Sequence, residues 1–453
     1  MNRRSFLRAN GIAAGSMIAY SALGSTASVL GNMAKDQKKK IRYAMVGCGH
    51  RGTGTWGKEV VKGGYKDVVE FVGFCDTNPG RLKFALRETQ TDCPVFSDFD
   101  EMIKQTRPDV IMITTPDGTH DHFIIKTLEA GVDVITEKPM TTDENKCQAI
   151  IDAQNRTGRK VTVTFNYRYS PHRAKIYELL RSGEIGDITS VDFNWYLDVY
   201  HGADYFRRWH GYRKNSGSLL VHKATHHFDL LNWWIASEPK EVFAYGALEV
   251  YGKNGPFRGK NCRSCSHKSD CQFYFDVTKD KRLMDLYVEN EHHDGYFRDG
   301  CVYREDIDIF DKMAVQIKYM NDVQVSYSLT TYSPYEGYRI AFNGTKGRLE
   351  AWIKERQPWE ELENDDVLQL TTSFGKTRLI RVSPKPGEHG GGDPLLIERV
   401  FKGGTDTLRQ EAGVREGAMS ILIGIAARNS IDTGKPVKIE SLTSLKPKES
   451  TII

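Results

Sequence analysis

Between Ile41 and Asn166, short apolar runs alternate with segments of helical spacing. IRYAMVG, VVEFVGFCD, VIMITTP, VDVITEKP and KVTVTFN are apolar at consecutive positions rather than at every second one, as strands buried on both faces are. LKFALRETQ, DFDEMIKQT, HFIIKTLEAG and DENKCQAIIDAQNRTG lie between them and predict helices, the last starting after Thr141-Thr142 and stopping at Gly158. Such alternation predicts a doubly wound, parallel-stranded α/β domain over residues 38–166. Beyond Asn166 the pattern changes. HRAKIYELLRSG predicts a helix, ITSVDFNWYL a strand, and residues 218–236 an amphipathic helix. MAVQIKYM, VQVSYSLTTY and YRIAFNG then alternate apolar with polar, which predicts a mostly antiparallel sheet covered on one face. Residues 167–453 therefore form a second α/β domain, and its late helix REGAMSILIGIAARNSIDTG is expected to pack back between the domains.

The first 34 residues stand apart. Asn2-Arg3-Arg4-Ser5-Phe6-Leu7-Arg8 precedes a mildly apolar run with no charge from residue 9 to 34, the pattern of a twin-Arg export signal. It predicts delivery to the periplasm. Gly11, Gly15, Gly24 and several serines make the run too polar for a comfortable anchor, and no later stretch reaches roughly 18 apolar residues, so no membrane anchor is expected in the mature form. Three of the four units of formal positive charge come from Arg3, Arg4 and Arg8. The remainder is nearly neutral, a poor match for nucleic acid.

Gly47-Cys48-Gly49-His50-Arg51-Gly52 follows the first predicted strand and opens a helix. In that context the glycines permit a tight turn, close approach of a pyrophosphate and close packing of helix on strand, with His50 and Arg51 beside the phosphates. Asp76 ends the second strand, 24 residues after Gly52, where a carboxylate accepts from ribose hydroxyls and repels a 2′-phosphate. NAD is therefore favoured; Arg81 keeps NADP open.

Lys138 of Glu137-Lys138-Pro139 closes the predicted strand VDVITEKP, at the edge where such sheets bind ligands. Desolvated there, it is a candidate general base for an alcohol. His222, His226 and Asp229 fall at i, i+4 and i+7 of a helix with an apolar face. Tyr205, Arg208, Trp209 and Arg213, with Trp195 before them, offer aromatic faces and forked donors suited to a sugar, though part of this set is expected to be core. Cys262-x2-Cys265-x5-Cys271, with Cys301 thirty residues on, marks a Cys-rich insertion over residues 255–305. Four thiolates suit a structural zinc; disulfides and an iron–sulfur cluster are the alternatives.

Together these motifs resemble the Gfo/Idh/MocA oxidoreductases. The resemblance runs from Ile41 to about Leu442 and includes TTPDGTHDHF, EKP, FNYRYSP and His226-x-x-Asp229. It implies a Rossmann domain plus an α/β domain with a large open sheet, proton transfer by Lys138 and His226, cofactor contacts from Thr115, His120, Glu137 and Asn166, and a substrate contact from Arg168. It also implies a small carbohydrate partner and a homo-oligomer paired through the sheet. Many sugar dehydrogenases of the family carry Asp where this chain has His222. EHGGGDPLL, with His389 and Asp393, is similar to the His-Gly-Gly-x-Asp segment of the family's NAD-dependent glycosidases, the α-N-acetylgalactosaminidases, or is a flexible glycine-rich loop. Three functions follow: a dehydrogenase of sugar hydroxyls, a redox-neutral glycosidase, or a silent sensor. Export in folded form further implies a dinucleotide carried out captive in the fold.

Overall fold

The computed structural model describes residues 39–360 and 364–452. The predicted export signal lies outside them. Six parallel strands, β1 (Ile41–Val46), β2 (Val69–Cys75), β3 (Val95–Phe96), β4 (Val110–Ile113), β5 (Asp133–Thr136) and β6 (Val161–Val163), are arranged 3-2-1-4-5-6. This is the doubly wound order whose direction reverses between β1 and β4, and a crevice opens at that point. The glycine turn sits there. Gly47 has φ +89°, and a Cβ on it would meet the Thr114 backbone at 2.7 Å; one on Gly52 would meet the Gly47 carbonyl at 2.2 Å. Asn78, Asp98 and Asp143 cap the helices Pro79–Thr89, Phe99–Thr106 and Glu144–Thr157. The last starts one residue later than expected, after its cap Asp143, and stops, as expected, at Gly158 in the left-handed region.

The second sheet contains β7 (Ile188–Asp198), β8 (Pro239–Ala247), β9 (Lys312–Tyr319), β10 (Gln324–Ser333), β11 (Glu336–Gly344), β12 (Gly347–Arg356), β13 (Asp366–Thr372), β14 (Thr377–Val382) and β15 (Val437–Lys438). Their order is 14-13-12-11-7-10-9-8-15, and every neighbouring pair is antiparallel except β7 with β10. Burial alternates along β9 and β10, so one face is covered.

The helix expected over residues 218–236 divides at Lys223 into Leu219–His222 and Ala224–Ile235. It is buried all round rather than amphipathic. Sheet and helix Val414–Thr433 enclose it from both sides, and Gly424 lets that helix approach so closely that a Cβ would lie 2.2 Å from the Leu220 carbonyl. Because Val414–Thr433 also packs on β6 and helix Glu144–Thr157, it joins the two domains as predicted.

Candidate active site

Lys138 leaves the C-terminal end of β5 on a loop whose Lys138-Pro139 peptide is cis. Burial pulls its ammonium down to about 8, against the pull of Glu137 and Asp117. Glu137 is itself buried, its Oε1 accepting from Arg51 Nε at 2.6 Å and from Trp56 Nε1 at 2.8 Å. Arg51 also donates to Asp393 Oδ2 at 2.8 Å. Hence Arg51, expected beside the phosphates, is turned inward, where two carboxylates compensate it. Burial opposes the charged form of Asp393, yet Arg51 and His389 hold its carboxyl well below the usual range. Asn166 Nδ2 donates to the same carboxylate at 2.5 Å, leaving Asn166 Oδ1 buried with no partner among the described residues. The glycine-rich EHGGGDPLL segment is thus tied into the site: His389 lies 3.1 Å from Asp393, and its ring sits 5.7 Å from Tyr167 and 6.3 Å from His226.

Behind Lys138, His222 Nδ1 and Asp117 Oδ2 approach to 2.5 Å. Burial raises the Asp117 carboxyl and lowers the His222 imidazole, so each is pushed toward its neutral form. His226 stacks on Tyr167 with centroids 4.1 Å apart, and its buried Nδ1 has no hydrogen-bond partner among the described residues. Burial and the charges of Lys138 and Lys223 keep it neutral. His120 bridges the carbonyls of Pro139 and Thr115 at 2.8 Å each; it fixes the loops after β4 and β5, and Thr115 lies on the rim of the crevice.

Three expected site residues, Asp229, Arg168 and Arg213, are held in ion pairs instead. Asp229 grips Arg168 in a buried fork, Nε to Oδ2 at 2.8 Å and Nη2 to Oδ1 at 2.6 Å, and Arg168 also donates to the carbonyls of Arg409 and Glu411. Four of the five Arg168 N–H groups are so used, and Asp229 is a positioning residue. The i+7 spacing placed Asp229 near the right face, but only the packed turn Asn166–Tyr169 supplied its partner. Arg213 is likewise removed: it pairs with Asp432 at 2.7 Å near the surface. Trp195 is core, stacked on His227 at 3.9 Å.

Tyr205 and Arg208 lie near the Asp117–His222 pair. The Tyr205 ring stands 5.4 Å from His222, and Arg208, paired with Asp204 at 2.9 Å, lies close enough to act on Asp117 and His222. Trp209 covers His210 at 3.5 Å, and His210 stands 4.3 Å from His222 with its Nδ1 buried and unpartnered among the described residues. Asp117, His210, Tyr167 and Lys223 were not found from the sequence. Lys223 is buried, donates to Tyr167 Oη at 3.0 Å and lies 5.2 Å from the Trp195 ring centre. Beyond Tyr205 the cleft adjoins a cavity of about 710 Å³ lined by His201, Asp204, Arg298 and Glu336 among others.

The residues fit a dinucleotide. Asp76 follows β2 beside the glycine turn, its carboxylate accepting the backbone N–H of Cys48 and of Asn78 at 2.8 Å each and pairing with Arg81 at 3.0 Å. Arg81 is also held by Asp294 at 2.6 Å. The glycines leave no room for side chains at the turn, and the backbone N–H of His50 is donated to Tyr287 Oη at 2.8 Å.

The four insertion cysteines behave differently from a closed site. All eight cysteines are free, so no disulfide joins them. Cys262, Cys265, Cys271 and Cys301 line one small cavity with Arg207 and Lys268. Their sulfurs do not close on one point: among the described residues, the only such group with ligand atoms all within 4.8 Å of one another is Glu388, His389 and Asp393. Asp393 is already committed to Arg51 and Asn166.

Residues 41–165 match the oxidoreductase family's NAD-binding Rossmann fold, and residues 177–439 its C-terminal alpha/beta domain. The chain belongs to the Gfo/Idh/MocA oxidoreductase family. It is 39% identical over 402 residues to the putative oxidoreductase YteT of Bacillus subtilis, covering 83% of this chain and 93% of that protein. It is 25% identical over 186 residues to the inositol 2-dehydrogenase of Salmonella typhimurium, 39% of this chain and 50% of the enzyme. Among solved structures, a levoglucosan dehydrogenase with NADH and levoglucosan shares the fold at TM-score 0.63, 18% identity and coverage of 88% and 100%. The WlbA dehydrogenase of Bordetella pertussis with NADH and UDP-GlcNAcA does so at 0.61, 19%, 88% and 99%. As a Gfo/Idh/MocA protein the chain is an NAD-binding oxidoreductase, with the Rossmann and open-sheet domains that its pattern predicted.

Proposed function

We propose that this chain is an exported oxidoreductase that keeps its NAD bound and acts on a secondary hydroxyl of a sugar or glycoside. The observation that carries the reading is Lys138, buried and poised at about 8 at the strand edge, with Asp117, His222 and His226 around it. A bound nicotinamide would supply hydride transfer. Neutral Lys138 accepts the hydroxyl proton; His226, neutral and with a free ring nitrogen, orients the hydroxyl or passes the proton on. Tyr205, Arg208 and Lys223 supply hydrogen bonds and charge to the remaining hydroxyls. Similarity to a levoglucosan dehydrogenase and an inositol 2-dehydrogenase supports a polyhydroxylated ring as substrate. Asp76 supports NAD over NADP. The test is to purify the exported protein, identify its dinucleotide by mass spectrometry, and supply keto-sugars and electron acceptors. A protein that isolates empty and turns over only with added NAD would refute the captive cofactor.

A redox-neutral glycosidase is the second reading, favoured by one observation: His389 is in the site, beside Tyr167 and His226. Release of nitrophenol from a nitrophenyl glycoside, with no net NADH, would select it.

We further propose that the four insertion cysteines hold a structural metal as thiolates. The backbone N–H two residues on faces the sulfur at three of the four cysteines: His267 to Cys265 and Tyr303 to Cys301, each at 3.4 Å, and Phe273 to Cys271. Arg207 donates to Cys262 Sγ at 3.1 Å. Amides and a guanidinium aimed at sulfur favour thiolates, here against burial, which pushes the Cys262 and Cys271 thiols up. A tetrahedral zinc requires sulfurs about 3.8 Å apart, so binding would draw the four inward.

A further inference from the structure

The insertion reaches well beyond its cysteines. Its segment Lys281–Asp294 lies along the crevice of the first domain. Tyr287 Oη accepts the backbone N–H of His50 at 2.8 Å, and a Cβ on Gly49 would stand 3.3 Å from the same oxygen. The Arg282 guanidinium abuts Gly54, one terminal nitrogen lying 2.7 Å from where a Cβ would be. At the other end, Asn78 Nδ2 donates to the Asn290 carbonyl at 2.9 Å and to Asp294 at 3.1 Å, and Arg81 pairs with Asp294 at 2.6 Å. Between them Asp285 pins Arg87 at 2.7 Å. One stretch of chain therefore touches the glycine turn, the helix behind it and the residues that follow Asp76.

Arg282 is the telling member. Its Nε and Nη2 are buried and make no hydrogen bond among the described residues. Glu88 lies near enough to interact with the Arg282 charge, but its own carboxylate takes Lys58 at 2.5 Å. A guanidinium cannot shed its proton, so buried N–H groups without an acceptor call for an anion. The anion suited to a glycine turn at a helix start is a phosphate, and a forked guanidinium matches it. Tyr287 occupies the amide that such a turn presents to a diphosphate.

We propose that the insertion supplies the outer wall of the dinucleotide site, with Arg282 as the cation for the diphosphate, and that Lys281–Asp294 must lift for the cofactor to enter or leave. The inference rests on the reading of this chain as an NAD-binding oxidoreductase and gives the captive cofactor a physical cause. Ion pairs Asp285–Arg87 and Asp294–Arg81 hold the wall against the helix Pro79–Thr89.

The test loads the full-length protein with NADH and follows its release into excess NAD by the loss of bound-NADH fluorescence. Calorimetry gives the affinity, and circular dichroism checks the fold. Arg282→Ala should weaken NADH binding at least about tenfold, and Arg282→Lys should restore part of it, because charge returns without the fork. Asp285→Ala with Asp294→Ala, which leaves Arg282 in place, should speed release at least about tenfold. Unchanged affinity in Arg282→Ala together with unchanged release in the double variant, both folded, overturns the wall. If the unaltered protein binds no NADH at all, the dinucleotide reading falls and this inference falls with it.

Discussion

Asp117 and His222, 105 residues apart in the chain, meet through a 2.5 Å hydrogen bond behind Lys138. The pair joins the loop after β4 to the helical segment that precedes His226. It also sets the field in which Lys138 titrates, since Asp117 stabilises the ammonium while burial disfavours it. His222, the apparent departure from the family pattern, is therefore a built part of the site.

Replacing Asp117 by Asn should keep the shape of the pair and remove the carboxylate form, which burial disfavours and the Lys138 ammonium favours. Lys138 then loses the attraction that raises its affinity for a proton, so its titration moves below about 8. The expected outcome is a pH–rate profile whose lower limb shifts to more acid values, with KM little changed. A profile that stays in place would show that Asp117 does not act on Lys138.

Lys138 itself accepts a proton in the oxidation direction, so the rate should rise as pH rises through about 8 and fall below it. Lys138→Met should abolish turnover and leave bound dinucleotide and fold intact. His226→Ala should lose at least about 10² in rate, the lower range for an acid–base group. Steady-state kinetics beside fluorescence of bound NADH separates loss of chemistry from loss of cofactor.

Asp393 is a matter of stability as well as of the site. Its folded carboxyl is depressed below the ordinary carboxylate value, so it contributes stability that is present above about pH 4 and lost as pH falls further. Asp393→Ala leaves Arg51 with Glu137 as its one buried carboxylate and should cost about 3–5 kcal/mol, as breaking a buried pair does. Thermal unfolding from pH 7 to pH 3 should show the difference between variant and parent narrowing with acid.

The cysteine insertion should carry one metal centre per chain. Elemental analysis with an absorbance spectrum distinguishes zinc from an iron–sulfur cluster, and thiol titration detects disulfides. Cys265→Ser should lose the metal and expose the insertion to protease, while hydride transfer per bound cofactor stays unchanged. Absence of metal together with two disulfides would reverse the assignment.

The fold was legible in the pattern because its causes are local and periodic. Consecutive apolar runs of four to seven residues between capped helices allow little besides a parallel sheet, and β9 and β10 announce an antiparallel one by strict alternation. The glycine turn, Asp76 and Lys138 were legible for the same reason: each is fixed by its place at the end of a strand. The rest required three dimensions. Nothing in the neighbourhood of Arg168 or Asp229 tells that each consumes the other, and Arg51 turns inward because Glu137 and Asp393 come from segments 86 and 342 residues away. Burying a charge is costly unless a partner is buried with it, and the partner is chosen by packing rather than by spacing. So the sequence by itself determined the architecture and the edge where chemistry occurs. Only the tertiary structure decided which charges are spent on one another and which, such as Lys138, remain available to a ligand.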